Sequence, residues 1–152
     1  MPLPEPAYSY RDDPSVPDFD DTHPVAFMDG DCVLCMAGAR VLDWLDQSGT
    51  IRICPIQTTL GRAVLRHYGL SPDDSDTWVV LHAGKAYSSV EAMIRIGSLT
   101  GGAGRAVLML RLLPRPVQDW LYRRLARNRY WMFGRRDSCT LPTPSLRARI
   151  LG

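Results

Sequence analysis

The sequence predicts an α/β fold with the element order β-α-β-α-β-β-α, followed by a C-terminal helical extension. Three observations predict this order. An apolar run at residues 25–28 leads directly into a helical pattern that opens on a C-x-x-C motif. A second, alternating run at 51–56 follows that helix. Two further runs, 77–82 and 85–87, are separated only by Ala83-Gly84, which predicts a hairpin.

The first half of the chain reads as two strands and two helices. The first helix is expected from about Cys32 to Gln47, with Gly49 as its C-terminal cap. A helical crossover joins the strands at 25–28 and 51–56, so we expect them to be parallel. Thr58 or Thr59 is expected to cap the second helix, which ends near Tyr68.

A third helix is expected after the hairpin and further helices after residue 100. Ser88 or Ser89 is expected to cap the third helix, which runs to about residue 99. After residue 100 the sequence predicts helices at 105–113 and 117–128, separated by prolines, and a last short helix after Pro144. We therefore divide the chain into a disordered or loosely docked leader (1–22), a core (23–100) and a helical extension packed on the core (101–152).

Charge is unevenly distributed along a chain whose formal net charge is only +2. Residues 1–31 hold eight acidic side chains and one arginine, whereas residues 101–152 hold eleven arginines and two aspartates. No nucleic-acid-binding motif accompanies the arginines, so a solvated basic face is favoured. The sequence has no apolar run long enough to span a membrane and no secretory signal, so we expect a cytoplasmic protein.

The C-x-x-C motif, Cys32 and Cys35, has the arrangement that thiol–disulfide exchange requires. Cys32 is placed where the helix N-terminus stabilises a thiolate, and Cys35 lies one turn later. We therefore expect Cys32 to be the attacking thiolate and Cys35 to be the resolving thiol, which we expect to be buried. The function predicted from these residues is disulfide exchange without a bound cofactor.

Asp29 and Asp31 precede the motif and are candidate catalytic residues. Their negative charge disfavours a thiolate and so competes with the helix N-terminus. One of the carboxylates is a candidate to carry a proton to or from Cys35. The structural alternative for both aspartates is helix capping and turn formation, and Asp31 is well placed to cap.

The other two cysteines, Cys54 and Cys139, leave more alternatives open. Cys54 lies in the second strand and is expected to be a small buried residue. Cys139 follows Arg135 and Arg136, so it is either a reactive thiol that relays a disulfide or a packed residue of the tail. Four thiolates could also hold zinc or an iron–sulfur cluster, but a second close pair is absent, so we expect no metal.

The pattern around these residues resembles the DCC family of predicted thiol–disulfide oxidoreductases. The resemblance rests on Asp29-Gly-Asp-Cys-Val-Leu-Cys35, on Pro55-Ile-Gln57, on the hairpin and on Asn128-Arg-Tyr-Trp-Met-Phe-Gly-Arg-Arg-Asp-Ser-Cys139, and it covers roughly residues 24–148. It implies a thioredoxin-like fold, whose element order is the one predicted above, and a disulfide oxidoreductase role.

The chain departs from thioredoxins just before the third strand. Thioredoxins place a cis-proline there, whereas this chain has Ser75-Asp-Thr-Trp78, with Thr77 as the stand-in. We expect protein or small-molecule thiols and disulfides as partners. The alternatives are a thioredoxin-like binding or regulatory module without redox turnover, and a basic aromatic helix at 108–131 that lies on a membrane surface.

Overall fold

A computed structural model of the chain describes residues 3–73, 78–134 and 144–151. Four strands form one mixed sheet in the order β2-β1-β3-β4. The strands are β1 (Val25–Met28), β2 (Arg52–Pro55), β3 (Val79–His82) and β4 (Lys85–Ser88). β1 and β2 are parallel, whereas β3 is antiparallel to both β1 and β4. The predicted fold class, α/β and thioredoxin-like with parallel first strands, is confirmed.

Five α-helices and two 3₁₀ helices lie in the part of the chain that the structure describes. The α-helices are α1 (Val33–Leu45), α2 (Thr59–His67), α3 (Ser89–Thr100), α4 (Arg115–Phe133) and α5 (Pro144–Arg149). The 3₁₀ helices are Ser9–Asp12 and Gly102–Leu112. No helix within these described ranges is long and apolar enough to cross a membrane.

The extension differs from its prediction at two places. The segment predicted as a helix at 105–113 belongs to the 3₁₀ helix Gly102–Leu112, which packs on α3 where Gly97 and Gly104 meet. A Cβ on Gly97 would lie 2.5 Å from the Gly104 carbonyl oxygen. α4 continues five residues beyond the predicted end at Asn128 and ends before Gly134, which has φ 81°.

The core lies on both faces of the sheet, because successive strand residues point to opposite sides. Phe27 and Cys54 face a layer formed with α2 and the N-terminal residues. Ala26 and Ile53 face a layer formed with α1, α3 and Leu146 of α5. The sheet is therefore covered on both faces. The C-x-x-C motif follows the C-terminal end of the interior strand β1.

The N-terminal residues contact β4 and α2. The backbone N–H groups of Leu3 and Tyr8 donate to the carbonyls of Ala86 and Gly84, at 2.7 and 2.8 Å. Tyr10 is 2 % exposed and packs in the layer with α2. The N-terminal residues therefore contact the core at Leu3, Tyr8 and Tyr10. The division of the chain into leader, core and extension stays a prediction.

The C-terminal residues attach α5 to α1 and to the edge of β2. Arg149 is buried and lies 2.6 Å from a carboxylate oxygen of Asp43 and of Asp46. Leu151 N donates to the Ile53 carbonyl at 2.8 Å. The end of the chain is thus held against the helix that begins at the C-x-x-C motif.

Candidate active site

The turn between β1 and α1 places the predicted site residues. Asp29 follows the last residue of β1, and its Oδ1 accepts a hydrogen bond from Asp31 N at 2.9 Å. This closes an Asx turn, which is one of the two structural roles expected for the aspartates. Cys32 is the N-cap of α1, with extended backbone at φ −90° and ψ 119°. Asp31 is exposed and is not the cap, so that structural expectation is wrong.

The two cysteines of the motif lie 3.1 Å apart at their closest approach. The Cys35 N–H donates to Cys32 Sγ at 3.3 Å, because the N-cap side chain folds back over the first turn. Cys32 is completely buried, whereas Cys35 is only partly buried. The expectation that Cys35 is buried is therefore wrong, and it is the first thiol that has no exposed surface.

The environment keeps the proton on Cys35. Burial, followed by the hydrogen bond with Cys32 and the proximity of that residue, raises the pKa of the Cys35 thiol to about 12. Asp29 acts in the same direction, while the positive charge of Arg129 opposes it. A thiol whose pKa lies this far above neutrality keeps its proton at pH 7.

Asp29 is 4 % exposed and accepts four hydrogen bonds. Besides Asp31 N, its Oδ1 accepts from Gln57 Nε2 at 2.6 Å. Its Oδ2 accepts from Arg129 Nη2 at 3.1 Å and from the Tyr130 hydroxyl. A carboxylate has about four lone-pair sites, so this carboxylate is fully coordinated by donors. Gln57 also reaches Asp31 Oδ2, at 3.5 Å.

Arg129 and Tyr130 belong to α4 and were not predicted as site residues. They lie 100 and 101 positions after Asp29 in the chain, beyond the range of any local pattern. The signal that pointed to them is the Asn128-Arg-Tyr segment, which belongs to the family resemblance but carried no role. The structure joins it to the turn before the C-x-x-C motif.

The remaining predicted residues lie away from this cluster or outside the described residues. Cys54 is buried as expected, burial raises its pKa, and its Sγ lies 3.3 Å from Thr58 Oγ1. Cys139 and Thr77 lie outside the described residues. Within the described residues, no group of three or more Cys, His, Asp or Glu side chains is arranged to hold a metal ion.

Comparison with known proteins gives a consistent family match. The family model described as DCC1-like thiol-disulfide oxidoreductase matches residues 26–135. YuxK, an uncharacterized protein of Bacillus subtilis, is 32 % identical over 127 residues, which cover 84 % of this chain and 93 % of that protein. A chloroplastic DCC family protein of Arabidopsis thaliana is 33 % identical over 123 residues, 80 % of this chain and 72 % of that protein. No solved structure matches the chain.

Proposed function

We propose that this chain, which belongs to the DCC1-like thiol-disulfide oxidoreductase family, exchanges disulfides through Cys32 and Cys35. The observation that carries the proposal is the contact between the two cysteines at the start of α1, where the Cys35 N–H donates to Cys32 Sγ. A helix N-terminus whose backbone N–H donates to a sulfur favours negative charge on that sulfur. Cys32 is accordingly the nucleophile in this proposal.

The raised pKa of Cys35 supports the same assignment of roles. A thiol that keeps its proton at neutral pH is a poor first nucleophile, even though it is the more exposed of the two. Cys35 then acts in the second step, when Cys32 no longer competes for the negative charge. Because Cys32 has no exposed surface, a substrate reaches it after neighbouring side chains move, from the side on which Cys35 is partly exposed.

The exchange proceeds in two balanced steps when the protein acts as a reductant. The Cys32 thiolate attacks one sulfur of the substrate disulfide, forms a mixed disulfide and releases the other substrate sulfur, which takes a proton. Cys35 then loses its proton and attacks Cys32 Sγ. This forms the Cys32–Cys35 disulfide and releases the second substrate thiol. The reverse sequence oxidises a dithiol substrate.

Asp29 and Asp31 are included in the proposal as acid–base candidates. Asp29 interacts electrostatically with Cys35, which supports a role in moving its proton. Its four hydrogen-bond donors mean that one of them must leave before the carboxylate accepts a proton. Replacing Asp29 by Asn slows exchange if Asp29 carries the proton, and an unchanged rate argues against that role.

The proposal is tested by redox titration of the full chain in glutathione buffers, with thiol alkylation and peptide mass mapping. We expect one reversible two-electron transition confined to the Cys32 and Cys35 peptides. Cys35→Ser should trap a mixed disulfide on Cys32 with oxidised glutathione at pH 7, whereas Cys32→Ser should trap none on Cys35. Cys54→Ser is the matched control, because that thiol is buried elsewhere and its loss should change neither result.

Two outcomes reject parts of the proposal. A chain without a reversible Cys32–Cys35 transition is not a dithiol oxidoreductase, and the binding-module alternative then stands. Trapping on Cys35 but not on Cys32 reverses the roles of the two thiols. Protein or small-molecule thiols as partners, and the cytoplasm as the compartment, stay predictions from the sequence.

A further inference from the structure

Arg129 lies inside the candidate active site although it comes from the C-terminal extension. The residue is 5 % exposed, and its Nη2 lies 3.1 Å from Asp29 Oδ2. Burying a guanidinium is unfavourable unless its N–H groups find acceptors. The acceptors that surround this side chain therefore indicate what it does.

The hydrogen bonding of Arg129 is incomplete at Nε. This atom is buried and has no hydrogen-bond partner among the described residues. Nη2 donates to Asp29 and, at 3.4 Å, to the Tyr130 hydroxyl. The centre of the Tyr130 ring lies 4.9 Å from the guanidinium carbon. Buried donors without a partner are rare, so a free N–H inside a candidate active site points to a bond that forms in another state of the protein.

The two thiols lie within electrostatic range of this guanidinium. Burial lowers the pKa of Arg129, but the Tyr130 hydroxyl and then Cys35 and Cys32 raise it above its ordinary value. In return, the positive charge of Arg129 lowers the pKa of Cys35 against the effects of burial, of Cys32 and of Asp29. Among the described residues, Arg129 is thus a cation that interacts electrostatically with both sulfurs.

We propose that Arg129 is the cationic partner of the Cys32 thiolate, and that Asp29 is a positioning residue that holds the guanidinium beside the thiols. This inference rests on the proposed function, in which Cys32 is the nucleophile. When Cys32 Sγ gives its proton to solvent, the unpartnered Nε–H of Arg129 becomes a second donor for the new negative charge, besides the Cys35 N–H. Asp29 alone would oppose that charge, and Arg129 offsets it.

In the part of the chain that the structure describes, the groups that influence the charge of Cys32 come from two elements and the turn between β1 and α1. The turn and α1 contribute Asp29, the exposed Asp31 and Cys35, while α4 contributes Arg129 with the Tyr130 hydroxyl. The carboxylates disfavour a thiolate and the guanidinium favours it. Within the described residues, Arg129 is the cation that interacts with both thiols, so its removal should have a large effect.

The test is the pH dependence of iodoacetamide alkylation at Cys32, followed by mass mapping in the full-length chain. In Arg129→Gln we expect the alkylation rate at pH 7 to fall about tenfold and the half-maximal rate to move to higher pH by about one unit. Arg129→Lys keeps the charge and should restore most of the rate. The control is Arg127→Gln, an exposed arginine of α4, which should behave as wild type.

A second comparison covers the case in which Arg129→Gln fails to fold because it leaves Asp29 buried without its cation. Asp29→Asn and the double variant Asp29→Asn/Arg129→Gln differ only in the guanidinium, with no buried carboxylate left behind. We expect an upward shift between these two as well, but a smaller one, because an amide in place of the Asp29 carboxylate holds the guanidinium less firmly. Identical pH profiles with and without Arg129 overturn the inference.

This readout also separates the inference from the function on which it rests. Alkylation of Cys32 reports its thiolate whether or not the protein turns over a disulfide. If wild type shows no reversible Cys32–Cys35 transition but Arg129→Gln still shifts the alkylation profile, the proposed function fails and the electrostatic role of Arg129 holds. If wild type shows the reversible Cys32–Cys35 transition but Arg129→Gln leaves the alkylation profile unchanged, the proposed function holds and the electrostatic role of Arg129 fails.

Discussion

Replacing Arg149 by Met tests how strongly the end of the chain holds α1, the helix that begins at the C-x-x-C motif. The buried guanidinium donates to the side chains of Asp43 and Asp46 and to the carbonyls of Asp46 and Ile51. Removing one partner of a buried ion pair costs about 3–5 kcal/mol. Asp46 keeps hydrogen bonds from Ser48 and from Ile51 N, so we expect the lower end, about 3 kcal/mol.

The assay is urea unfolding, followed by far-UV circular dichroism. A domain of this size loses about 2 kcal/mol of stability per molar urea, so about 3 kcal/mol lowers the midpoint by about 1.5 M. Arg147→Met is the matched control, because Arg147 is an exposed residue of the same short helix and should cost less than about 0.5 kcal/mol. Equal midpoints for the two variants would refute the reasoning that burial makes Arg149 important.

The pH dependence of this effect follows from Asp46. Burial raises the pKa of Asp46, but hydrogen bonds from Ser48 and Ile51 and the Arg149 guanidinium outweigh it, so the net pKa is lowered. A lowered pKa contributes stability above the ordinary value of 3.8, and this contribution is lost as the pH falls through the folded-state pKa. The difference in free energy of unfolding between wild type and Arg149→Met should therefore have its full value at pH 7 and become smaller below about pH 4.

The same unfolding assay checks two further predictions about α2 and α1. Gly61→Ala places a Cβ 2.4 Å from the Pro55 carbonyl oxygen and should lower the free energy of unfolding by about 1–3 kcal/mol or more. In Gly38→Ala the new Cβ meets nothing within 4 Å, so this variant should be more stable by about 0.5–1 kcal/mol. The opposite order of stabilities would contradict this packing. Thr58→Ala removes the cap that accepts from Gly61 N at 3.0 Å and should cost about 1 kcal/mol, with the exposed Thr59→Ala near zero.

The strands and the parallel start of the sheet could be predicted because they depend on local patterns. Residues 25–28 and 51–56 are apolar runs on either side of one helical pattern, and a helical crossover makes their strands parallel. Ala83 and Gly84 both have positive φ, 50° and 76°, as a two-residue hairpin turn between right-twisted strands requires. These features involve neighbours in the sequence.

The site could be predicted only in part because its charges come from distant segments. Cys32, Cys35 and Asp29 lie within seven residues, so the turn and the dithiol followed from spacing. The coordination of Asp29 depends on α4. Arg129 lies on a helix whose sequence pattern gives no reason to bury an arginine. The predicted end of α4 at Asn128 excluded this residue for the same reason.

α4 forms hydrogen bonds to the core at the site and just before β3. The Tyr130 hydroxyl donates to the buried carboxylate of Asp29, while the Tyr122 hydroxyl accepts from Trp78 N at 3.2 Å. Hydrogen bonds to charged groups contribute about 1.5–3 kcal/mol and neutral ones about 0.5–1.5 kcal/mol. We therefore expect Tyr130→Phe to lower the free energy of unfolding more than Tyr122→Phe does. It should also make α4 more sensitive to limited proteolysis. If the two variants lose equal stability, α4 is held by packing along its length rather than by the carboxylate, and the link between its docking and the dithiol disappears.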